Sequence, residues 1–225
     1  MEHLIKGKNT SPALQISLAQ DETIVTAPDR IFAAGGDIRI TPFRKPGLLR
    51  QWASKLKGKT LDLDSIQAVH DNAWILLSPA PQTTVPQNGL AVLDFFIGTT
   101  HRTEIVMTQN TFLAAQSDIH IDAAEARDLR QLGESFKIDL WVLHGQGKAF
   151  ITGTGAIEQI IVQPHQDLTI DAAYLLAWES SVTCTALKTS PFDVPDRKKD
   201  QRKILSIHGK GSIWIQTRPH TAQHE

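Results

Sequence analysis

"IVTAPDRIFAAGGDIRI", residues 24–40, is written a second time as "IVMTQNTFLAAQSDIHI" at 105–121. Ile24, Val25, Ala33, Ala34, Asp37, Ile38 and Ile40 fall on Ile105, Val106, Ala114, Ala115, Asp118, Ile119 and Ile121 without a gap. A more worn copy, "LTIDAAYLLAWESSVTC" at 168–184, sets Ala177 on Ala33 and Val182 on Ile38. Each copy reads as strand, turn, strand, break, strand. The turn is "APDR", where Pro28 presets φ and Asp29 can bond the backbone, and then "TQNT" and "DAAY". The break is Gly35-Gly36, then Gln116-Ser117, then Glu179-Ser180. Strict alternation follows, and period two means one buried and one wet face. Ile38, Ile40, Ile119, Ile121, Val182 and Cys184 are therefore expected inside. Asp37, Arg39, Asp118, His120 and Thr183 belong outside.

A second element recurs between the copies: "AVHDNAWILL" from 68, "VLHGQGKAFIT" from 142 and "SIHGKGSIWIQT" from 206. A strand runs into His, a tight turn follows, and an apolar strand carries Trp74, Phe150 or Trp214. The glycines do not open a helix as a phosphate loop would, so hairpin turns explain them. Interleaving the two elements gives three units, approximately 10–66, 67–135 and 136–218, in one all-β sandwich domain closed with pseudo-threefold symmetry. Residues 219–225 then form a flexible tail. The connection inside each unit varies. In the first, Leu48, Leu49, Trp52 and Leu56 mark one face of a short helix. In the second, "DAAEARDLRQLGES" is helix-like, and in the third "KTSPFDVPDRKKDQRK" is polar and broken by proline.

Composition narrows the function. The 225 residues carry a formal charge of −1 and are 41% hydrophobic, so the chain is globular and has no global field to attract nucleic acid or membrane. One cysteine excludes an internal disulfide and suits a reducing compartment. The start, "MEHLIKGKNTSPALQ", has no apolar signal core, and no run is long enough to span a bilayer as a helix. The expected location is cytoplasmic.

The run "KLKGKTLDLDS" followed by "ILLSPAPQTTVPQNGLAVLDF", the copy "NTFLAAQSDIHI" and the ending "GKGSIWIQTRP" together resemble the AIM24 family, mitochondrial-biogenesis-like proteins with many bacterial members. The resemblance covers roughly residues 10–218. It implies a β-sandwich of three pseudo-repeats, related in fold to the tryptophan-dependent RNA-binding attenuation protein. That kinship implies a fold and not an RNA ligand. Mitochondrial members are linked to inner-membrane organisation, and bacterial members have no established activity. Gln216-Thr217-Arg218 matches the family's closing motif, where Arg218 is expected to cap the sheet in an ion pair.

No catalytic constellation stands out: there is no His-Glu-x-x-His, no Gly-x-Ser-x-Gly and no Walker loop. Asp62 and Asp64 have the spacing of a metal-binding Asp-x-Asp, but alternation with Leu61 and Leu63 is explained by a strand with one wet face. His70, His144 and His208 would meet at one axis only if symmetry brought three imidazoles together, as in a His₃ zinc site. Turn residues usually face water, so no metal and no cofactor is expected. Of the five tryptophans, Trp74, Trp141, Trp178 and Trp214 lie in β-patterned apolar surroundings and are expected in the core. Trp52 sits in the sharpest local feature. From Phe43 to Lys59 there are six cations, Arg44, Lys45, Arg50, Lys55, Lys57 and Lys59, and no acid. Either the leucines dock this helix as a lid with its lysines solvated, or the basic face meets an anionic lipid surface or an acidic partner. The reading is thus a non-catalytic scaffold or interaction protein, with an unknown protein partner or anionic lipid as its target and no nucleic acid. A homo-oligomer is compatible. The alternatives are a small-molecule or metal-dependent activity at the loop rim, or RNA binding by fold kinship.

Overall fold

A computed structural model describes residues 1–7, 12–43, 62–79, 89–95, 104–124, 129, 132, 139–187, 191–192 and 203–219. In chain order the strands are β1 (Glu2–Lys6), β2 (Ala13–Leu18), β3 (Thr23–Thr26), β4 (Ile31–Gly35), β5 (Ile38–Pro42), β6 (Asp64–Ala68), β7 (Ala73–Leu77), β8 (Gly89–Phe95), β9 (Glu104–Thr108) and β10 (Phe112–Gln116). There follow β11 (Ile119–Ala123), β12 (Leu140–Gly145), β13 (Gly147–Gly153), β14 (Ile157–Val162), β15 (Leu168–Asp171), β16 (Leu175–Glu179), β17 (Val182–Ala186), β18 (Ile204–Gly209) and β19 (Gly211–Gln216). The fold is all-β, and among the described residues every ladder is antiparallel. Among the described residues helix is confined to two three-residue 3-10 turns and to Leu129 and Leu132 of the second connection, both packed on the third core.

The sheets run β1-β2-β7-β4, then β5-β6-β3-β10-β13-β8, then β11-β12-β9-β16-β19-β14, then β15-β18-β17. One wiring diagram underlies all four. Within residues 13–77, β2 and β4 flank β7, while β3 and β5 flank β6. Residues 89–153 repeat this with β8 and β10 on β13, and β9 and β11 on β12. Residues 157–216 repeat it with β14 and β16 on β19, and β15 and β17 on β18. Each block is thus a six-stranded sandwich made from contiguous chain. Units cut at 10–66, 67–135 and 136–218 are framed differently: the first block runs on to Leu77, and the second and third begin only at Gly89 and Ile157.

Two joints link the blocks. Ala114, Ala115 and Gln116 of β10 lie opposite Thr26, Val25 and Ile24 of β3. Ala177, Trp178 and Glu179 of β16 lie opposite Met107, Val106 and Ile105 of β9. Packing reinforces each ladder, because alternate residues of a strand point to opposite sides of its sheet. Leu113, Ala114 and Phe150 of the second block enter the core of the first. Leu176, Ala177 and Trp214 of the third enter the core of the second. A third joint, β15 to β4, would close the ring, and it is not made. The repeat pattern does not foretell this, because a closed ring and an open array need the same residues.

The expected alternation holds in the second block, where Ile119 and Ile121 are 3% and 2% exposed. In the third, Val182 is buried and Cys184 half-buried. In the first it fails: Ile38 is half-buried and Ile40 is 49% exposed. β5 is an edge strand, and no described residue covers its outer half.

Candidate interaction surface

The basic stretch, with Arg44, Lys45, Arg50, Trp52, Lys55, Lys57 and Lys59, lies outside the described residues, and so does its expected helix. Its roots are described. Phe43 packs on the second core, and its backbone N–H donates to the Leu63 carbonyl at 2.7 Å, drawing the two ends of the excursion together. Ala124 to Leu140 at 3.0 Å and Leu187 to Ile204 at 2.8 Å close the other two connections in the same way. All three excursions leave their sandwiches at the matching place.

The histidines do not converge. His144 lies opposite His120 on β11, and His208 lies opposite Thr183 on β17. The matching place in the first block is Gln67, opposite Arg39, because the first hairpin has a longer turn and His70 sits inside it. Aligning the hairpins on histidine therefore shifts the first one out of frame. Each ring also has its own carboxylate. His144 Nε2 donates to Asp122 at 2.8 Å, and His208 Nδ1 donates to Asp167 at 2.8 Å with Ser206 Oγ 2.7 Å from Nε2. His70 is 3.8 Å from Asp37. The His120 and His144 rings stand 5.2 Å apart. Among the described residues no three His, Cys, Asp or Glu side chains are grouped to hold a metal ion.

Asp62 is exposed while Leu63 is 2% exposed, as a strand with one wet face requires. Burial, followed by the charges of Asp62 and Asp29, pushes the Asp64 carboxyl above its usual range. Burial likewise pushes the Cys184 thiol up to about 12. A thiol so far from ionisation is a poor nucleophile.

The closing motif works as a clamp. Gln216 is 1% exposed; its Oε1 accepts from the Thr154 N–H at 2.8 Å, and its Nε2 donates to the Ala173 carbonyl at 2.7 Å. Thr217 Oγ1 accepts from the Ala156 N–H at 2.9 Å, and the Arg218 N–H donates to the Thr154 carbonyl at 3.2 Å. The motif thereby pins the turn that leads from β13 into β14. Arg218 does this through its backbone, and its guanidinium has no ion-pair partner among the described residues, contrary to the sequence expectation.

Trp141, Trp178 and Trp214 are core residues at 6%, 2% and 7% exposure. Trp74 is not: it is half-buried on the outer face of β7, and its indole fills the space beside Gly35 where a side chain would stand. On the same face lie Leu76, half-buried, and Phe32, 58% exposed. Register equates Phe32, Ala33 and Leu76 with Leu113, Ala114 and Phe150, and with Leu176, Ala177 and Trp214. Both of those sets are buried against a neighbouring block. Sequence reasoning missed this face because its residues carry the same pattern as their buried counterparts.

The family description "Mitochondrial biogenesis AIM24" matches residues 3–218. No curated protein matches the chain. A crystal structure of a Streptococcus pyogenes protein is similar over 97% of this chain and 94% of its own length, with a TM-score of 0.70 and 16% identity. At that identity the likeness concerns the fold alone. No described helix is long and apolar enough to cross a membrane.

Proposed function

Because this chain belongs to the AIM24 family, whose description names no chemistry, we propose that it is a non-catalytic interaction protein, a β-sandwich scaffold that works by docking. One observation carries the reading: the outer face of the first block leaves Phe32 58% exposed, where its counterparts Leu113 and Leu176 are 0% and 1% exposed. An apolar sheet face of a kind that is covered twice elsewhere in the same chain is a binding surface. The six cations between Phe43 and Lys59 spring from the same block, at the end of β5, and add an affinity for an anionic lipid surface or an acidic partner. Nucleic-acid recognition would want exposed aromatics interleaved with cations along a strand face, and three of the five tryptophans are instead buried.

A photo-crosslinking residue placed at position 32 in cells tests the reading. A discrete adduct with protein or lipid is expected, and none at Glu158, an exposed polar position on β14. Equal, diffuse labelling at the two positions would refute it.

A further inference from the structure

The blocks are joined head to tail, so the array must end in two unlike edges. Among the described residues, β4 of the first block and β15 of the third have no strand on their outer sides. Their counterparts are engaged: β10 pairs with β3, and β16 with β9. The free edges therefore belong to one kind of joint, seen twice in the same chain. Transferring its register sets Ala33, Ala34 and Gly35 opposite Ile170, Thr169 and Leu168.

Most other edges of these sheets are guarded as edge strands usually are. β1 carries Glu2 and Lys6, β5 carries Arg39 and Pro42, β8 carries Asp94, β11 carries Asp122, β14 carries Glu158 and β15 carries Asp171; β17 alone among them has neither a charge nor a proline. β4 reads Ile-Phe-Ala-Ala-Gly and has neither a charge nor a proline. Beside it the uncovered Phe32, Ala33 and Leu76 match the residues that enter the preceding core at each formed joint.

Resting on the interaction reading above, we propose that the occupant of this surface is a second copy of the chain. β4 of one copy extends the β15-β18-β17 sheet of the other, and Phe32 enters the third block's core beside Ile170. Two such contacts made reciprocally close a dimer. Strand addition of this kind takes affinity from backbone hydrogen bonds and specificity from the side chains set into the neighbouring core.

Single-cysteine variants in a Cys184→Ser background test it. Ala34→Cys and Thr169→Cys chains, purified separately and mixed under mild oxidant, should form a mixed disulfide, because directly opposed antiparallel residues lie within disulfide reach. Sedimentation of the wild type should show a dimer, and Phe32→Lys should raise its dissociation constant about ten-thousand-fold, because a solvated Lys replaces a buried Phe at both reciprocal contacts at about a hundred-fold each. Ile161→Lys, on an exposed site of β14, should leave it unchanged. A monomeric wild type that forms an internal disulfide in the Ala34→Cys/Thr169→Cys double variant means that the chain closes on itself, and the proposal fails. A monomer with no such disulfide, but with a crosslink from position 32 to another molecule, also sinks the second-copy proposal while the interaction reading stands. Absence of both sinks the two together.

Discussion

Replacing Gln216 with Ala should cost the protein about 3 kcal/mol, although the residue is the last of β19. Its loss leaves the Thr154 N–H without its acceptor in a residue 1% exposed, at about 1–3 kcal/mol, because a buried donor cannot turn to water. The Ala173 carbonyl, part-buried, loses a donor at about 0.5–1.5 kcal/mol. One buried methylene adds about 0.8 kcal/mol. For a chain of this size the melting temperature should fall by about 6–12 °C. Urea unfolding followed by tryptophan fluorescence reads the change directly. Gln216→Met separates the polar part from the packing and should recover only the methylene's share. Thr217→Ala breaks one bond at an exposed site and should cost less than about 1 kcal/mol. If Gln216→Ala loses less than about 1 kcal/mol with an unchanged denaturant slope, the clamp is not what holds the turn between β13 and β14.

Cys184 should label slowly in the native state: with its thiol at about 12, about one molecule in ten thousand is thiolate at pH 8, and rapid reaction there would refute the burial that sets it. His3 packs edge-on against Phe150 at 5.2 Å, and burial and then Lys148 lower its pKa, so the unfolded chain takes the proton first; stability should be full above pH 6.5 and fall as the pH drops through that value, with hydrogen exchange in β1 rising and His3→Phe flattening the dependence. Changing Lys55, Lys57 and Lys59 together to Gln should abolish binding to anionic vesicles at low salt while the thermal midpoint moves little; a wild type that ignores such vesicles refutes the lipid half of the function.

The all-β class, the hairpins and most of the core were legible because period two and turn chemistry act locally. Ile119, Ile121 and Val182 are buried for the reason their spacing gives. What was not legible depended on how blocks meet. Ile40 and Trp74 have the same local pattern as residues that are covered, and both keep exposed surface because no described neighbour packs over them, which no local pattern records. His70 misled because a longer turn moved it out of the frame of His144 and His208. The uncovered face around Phe32 was equally invisible. The basic stretch, by contrast, was conspicuous in sequence because charge needs no neighbour to be read, and its placement lies outside the described residues.

That each sandwich is closed by contiguous chain has a consequence for how the protein is made. A nascent chain has all six strands of the first block once residue 77 has emerged, and needs nothing downstream for the four ladders within the block; only the joint from β3 to β10 waits for the second. The second is complete at 153 and the third at 216. All-β proteins fold slowly when strands distant in sequence must find one another, because loop closure costs entropy before contacts repay it. Here the search is divided into three short ones, and each new block arrives to find the preceding β3 or β9 edge already in place as its template. Vectorial synthesis then sets the order of assembly, and a ribosome-stalled chain long enough to carry residue 77 clear of the exit tunnel should already resist protease over its first block.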